Sequence, residues 1–75
     1  MDTHELDALR VAYRAAVDQW VVAIREEETL ATPDHSMVAV EVWEQARFKE
    51  EDARAKANQA RETYRDALRR VLYNF

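Results

Sequence analysis

The sequence predicts an all-α protein, an antiparallel helical hairpin with one helix over about residues 3–31 and another over about 36–75. Three observations predict it. The chain has no glycine and a single proline, Pro33, so it lacks the residues that tolerate the positive φ of tight sheet turns. Ala, Glu, Arg and Leu, all strong helix formers, make up much of it. Apolar residues recur three and four positions apart over long stretches, the spacing of one helical face.

In the first segment the seam is Leu6, Leu9, Tyr13, Ala16, Trp20, Ala23 and Leu30, with Val17 and Ile24 widening it on one side. Asp2 is the candidate cap, Glu5 three residues on completes a box-like arrangement, and Asp7 adds charge of the sign a helix start favours. A second stripe, Ala8, Val11, Ala15 and Val22, lies on another face and is interrupted by Asp18. It reads equally well as a second interface or as scattered surface residues.

The break falls at Thr32-Pro33. Proline disfavours helix at the residue before it and has no amide for the ladder, yet it suits the first position of a new helix. Thr32 is the candidate cap for the second helix, Asp34 then falls in its first turn, and Ser36 is the rival cap. Either connection is short, which makes the helices antiparallel neighbours.

The second segment carries Val40, Trp43, Ala46, Ala53, Ala57, Ala60, Tyr64, Ala67 and Val71 on one coiled-coil-like seam, with a polar gap at Glu50. The alanines allow close approach of the facing helix. Glu50 with Arg54, Asp52 with Lys56 and Asp66 with Arg70 stand four apart, acid first, the favourable order on an exposed surface. Val38 to Val42 has some strand character, discounted because the chain offers no partner strand. A break near residues 49–52, giving a third helix, is the alternative to one continuous helix. Trp20 and Trp43 fall at nearby levels and read as the centre of the hairpin.

The helices differ in length, about 43 Å against about 60 Å at 1.5 Å per residue. A turn centred near residue 33 sets Ile24 opposite Trp43 and Leu6 opposite Arg61. Residues beyond about Glu62 then have nothing in their own hairpin to pack on. That overhang holds Tyr64, Leu68, Val71, Leu72, Tyr73 and Phe75, an apolar set of the kind that marks an interface. Two helices alone make one thin interface, and two hairpins make a four-helix bundle. A homodimer is therefore the expected partner arrangement, and a different protein the other partner class.

Charge supports a second copy. The net charge is −4. Residues 53–75 hold six basic and two acidic side chains, residues 1–52 five basic and thirteen acidic. Glu26, Glu27 and Glu28 stand at a helix end that prefers cations, and Arg65, Arg69 and Arg70 on the overhang are the candidate basic counterpart. The basic C-terminal half with Tyr64 and Tyr73 also suggests a nucleic-acid-associated bundle as the alternative function. Interleaved acids and the acidic remainder weigh against it.

Other chemistries find little support. Without cysteine there is no disulfide framework or thiolate chemistry. His4 and His35 are far apart, and neither follows a glutamate by three, so no metal site is expected. Ser36 is the sole serine, and without glycine no phosphate-cradling loop forms. No enzymatic activity and no cofactor are expected. Met1-Asp2-Thr3-His4-Glu5 does not read as a secretory leader, and Trp20 to Ile24 is too short to span a bilayer. The expected location is cytoplasmic. One hairpin domain over 1–75, acting in protein interaction or self-assembly, is the functional expectation.

Overall fold

The computed structural model describes residues 3–33 and 35–73. Two α-helices account for nearly all of them: α1, Thr3–Leu30, and α2, Met37–Tyr73. No strand occurs among the described residues, Val38 to Val42 included. The helices fold back on each other as a hairpin 55 Å long and 17 × 12 Å across. That length is about what α2 alone spans at 1.5 Å per residue.

The end of α1 tightens. The Ala31 amide donates to the carbonyls of both Glu27 and Glu28 at 3.2 Å, a shared bond of the kind that closes a last turn. Pro33 sits in a bend outside both helices, so Thr32-Pro33 ends α1 without opening α2. Ser36 is the cap instead. Its hydroxyl accepts the Ala39 amide at 3.2 Å, and its carbonyl accepts the Val40 amide at 3.1 Å. Its side-chain oxygen satisfies an amide that has no partner inside the helix. The caps proposed at Asp2 and the first-turn role of Asp34 lie outside the described residues.

α2 runs unbroken through residues 49–52, so the three-helix alternative is set aside. Ion pairs stitch successive turns there: Arg47–Glu51 at 3.2 Å, Arg54–Glu50 at 3.8 Å and Lys56–Asp52 at 3.1 Å. The Arg47–Glu51 and Lys56–Asp52 pairs are exposed enough to contribute little alone, and the three together set a cation beside each acid of the run.

The three-four seams meet as expected, with one correction to the register. Tyr13 packs on Tyr64, ring centroids 6.2 Å apart and planes tilted by 31°. The Trp20 indole N–H donates to the Glu50 carboxylate at 3.0 Å. Both α2 partners come later in the chain than backbone levels alone place them. On any helix the Cα–Cβ bonds lean toward the N-terminus. In an antiparallel pair, α1 side chains therefore reach away from the turn and α2 side chains toward it, which gives the sense of the shift. Its size, three positions at Trp20 and ten at Tyr13, also requires a helix register offset from the one a turn centred near residue 33 sets. Tyr64 and Leu68 are half-buried and Ala67 only 2% exposed, so the uncovered overhang starts at Val71 and not just after Glu62.

The polar gap at Glu50 is thus filled. Its side chain is 13% exposed, held between Trp20 and Arg54, and belongs to the seam more than to the surface.

Candidate interaction surface

The hairpin's interior is thin. The buried residues among those described are Ala23, Ala46, Ala57 and Ala67, and no large side chain is completely enclosed. Alanines bring the backbones close, but each removes little apolar area from water. Trp20 and Trp43 are half-buried, so they are less enclosed than a hairpin centre would make them. The accessible surface is 5967 Å², against about 4,800 Å² for a compact monomer of this mass. The radius of gyration is 17.1 Å, against about 11 Å for a compact chain of this length.

The excess apolar surface gathers at the turn. Of thirteen exposed large hydrophobic side chains among the described residues, nine lie between Val21 and Phe48. Met37 is 78% and Val38 70% exposed. Leu30, Ala31, Thr32, His35, Ala39, Val40 and Trp43 line a cavity of about 210 Å³ beside them. Met37, Val38, Val42 and Phe48 were not singled out from sequence as an interface. The signal was the Met37 to Val42 stretch itself, apolar at five of six positions with neither helical nor alternating period.

The expected overhang divides. Tyr64 and Leu68 belong to the hairpin, whereas Val71, Leu72 and Tyr73 are exposed, Leu72 by 67%. Phe75 lies outside the described residues. Arg65 pairs with Glu62 at 3.8 Å. Arg69 and Arg70 are exposed and form no ion pair among the described residues. The expected Asp66–Arg70 pair does not form there.

At the opposite end, Glu26 and Glu28 are exposed and likewise without an ion pair among the described residues, while Glu27 is half-buried. Glu27 lies across the helix interface from Arg47, which is ion-paired to two acids of its own helix. Arg47 is hydrogen-bonded to Glu44 at 3.0 and 3.2 Å and to Glu51 at 3.2 Å. Its pKa is raised above the ordinary guanidinium value first by the Glu44 hydrogen bond, then by the charges of Glu44, Glu51 and, across the helix interface, Glu27. Arg10 is raised in the same way by its bond to Asp7, 2.8 Å away. The hairpin itself keeps Glu26–Glu28 near the turn and Arg69–Arg70 at the far end of a 55 Å molecule. One chain does not bring them together.

Among the described residues no group of three or more His, Asp or Glu side chains is placed to hold a metal ion. No helix there is long and apolar enough to cross a membrane.

Comparison of the chain with protein-family models, with curated proteins and with solved structures finds no match in any of the three.

Proposed function

We propose that the chain is a non-enzymatic, self-assembling helical module, in which two hairpins pair antiparallel into a four-helix bundle. The observation that carries this reading is the surface excess. About 1,200 Å² more is exposed than a compact chain of this size needs, and most exposed large apolar groups surround the turn. An obligate homodimer interface buries about 1,000–2,500 Å² per partner, so one such contact accommodates the excess.

Burial alone would be served equally by two turn ends meeting. Charge chooses between the orientations. Residues 25–44, around the turn, hold one basic and six acidic side chains, so juxtaposing two turns sets like charges together. Antiparallel pairing over the full length of α2 brings Arg69 and Arg70 level with the partner's Glu26 to Glu28. These exposed pairs contribute about 0–1 kcal/mol each and fix orientation more than affinity.

Sedimentation equilibrium from micromolar to millimolar concentration tests the proposal. Twice the chain mass is expected at the upper end, with a thermal midpoint that rises with concentration because only the folded state associates. A cooperatively folded monomer throughout that range would sink it. A second reading rests on exposed Arg69 and Arg70 beside Tyr73, a cationic and aromatic set that suits single-stranded nucleic acid. It requires a gel shift that weakens steeply with salt.

A further inference from the structure

We infer that the cavity at the turn is a socket for the C-terminal turn of a second copy's α2, with Leu72 as the inserted side chain. The inference rests on the self-association proposed above and specifies its anchor. The cavity, about 210 Å³ between Leu30, Ala39, Val40 and Trp43, is smaller than the roughly 300–1,000 Å³ of small-molecule pockets. It is the size of a single large side chain, and its walls are mainly apolar.

The occupant follows from the geometry of α2. Met37–Tyr73 is one unbroken helix. When two copies pair antiparallel over their whole length, position 37 is level with 73 and position 38 with 72. Side chains of both copies lean toward their own N-termini, which moves the contact of Leu72 about two positions on, to Val40 at the cavity wall. Leu72 is among the most exposed large apolar side chains of the molecule, and Val40 is 46% exposed. The same register sets the exposed Arg69 and Arg70 beside the partner's Glu26 to Glu28. Apolar and charge complementarity therefore call for one arrangement, repeated twice about the two-fold axis.

The absence of cysteine makes crosslinking a clean test. Two singly substituted chains, Val40→Cys and Leu72→Cys, are mixed in a glutathione buffer, and mass spectrometry reads which positions are joined. Positions 40 and 72 of one chain are about 48 Å apart along α2 at 1.5 Å per residue, so only separate chains can join them. A disulfide needs Cα atoms within about 7 Å. The expected product is the 40-to-72 dimer, in excess over both self-joined species. Predominant 40-to-40 or 72-to-72 products, or no covalent product from a chain that sediments as a dimer, would overturn the socket and leave association standing. A chain that sediments as a monomer removes both. As an independent measure, Leu72→Ala is expected to weaken dimerisation about tenfold or more, the scale of losing one buried leucine side chain, with the melting of the monomer unchanged.

Discussion

The half of the hairpin near the turn and the half that holds the chain's two ends are built from the same helices in different ways. Beyond the level of Trp20 and Glu50, Ala53, Ala57, Ala60 and Ala67 of α2 and Leu9, Tyr13 and Ala16 of α1 are buried or half-buried, and Tyr13 packs on Tyr64. Among the described residues, Val11 is the one large apolar side chain left exposed there before the final turn of α2. Nearer the turn, valines and Met37 and Phe48 face solvent on several sides. One half carries about as much apolar surface as two helices can cover, and the other carries more. A hairpin can therefore cover its large apolar side chains at one end and leave them uncovered at the other.

Three substitutions probe that difference, beginning with the largest effect. Ala57→Leu places a large side chain where the residue is 2% exposed. It should destabilise by about 2–3 kcal/mol, toward the upper end for overpacking, as read by urea unfolding. The same change at exposed Ala55 should stay within about 0.5 kcal/mol. Equal effects at the two positions would mean that the helices do not approach closely in this half.

Trp20→Phe acts at the boundary between the halves. It removes the indole donor and leaves Glu50, 13% exposed, with only Arg54. A loss of about 1.5–2 kcal/mol is expected, near the lower end for a hydrogen bond to a charged group. Glu50→Ala in the Trp20→Phe background should then cost less than Glu50→Ala alone, because partners in one bond are not additive. Strict additivity would show that the bond contributes nothing.

Ser36→Ala acts at the turn itself and should cost about 1 kcal/mol, a typical N-cap value, measured by thermal unfolding at fixed concentration. Thr32→Ala, at the rival cap, should cost less. The reverse ranking would move the start of α2 back to Pro33.

Much of this architecture was legible in the chain. Three-four spacing and the absence of glycine gave both helices, and Pro33 with Ser36 bracketed the connection. What escaped was information that exists only once the helices face each other. Glu50 looked like a gap because its acceptor role needs Trp20 thirty residues away. The overhang looks longer because a level count from the turn sets the α2 partners of Tyr13 and Trp20 too early in the chain. Glu27 looked like an acid awaiting a foreign cation, but Arg47 lies across the interface. The apolar excess around Met37 to Val42 follows no single period, so counting positions on a face could not find it.

The short connection between Leu30 and Met37 also has a consequence in time. Trp43 and Leu30, thirteen positions apart, flank one cavity, whereas Tyr64 and Tyr13 are separated by fifty-one positions. Closing the longer loop first costs about 1.2 kcal/mol more in chain entropy than closing the shorter. The favoured route is a zipper that starts at the Ser36 turn and runs outward one helical turn at a time. On that route the loss at Ser36→Ala appears mainly as slower folding, and the loss at Ala57→Leu mainly as faster unfolding. The turn end, richest in uncovered apolar groups, then forms first.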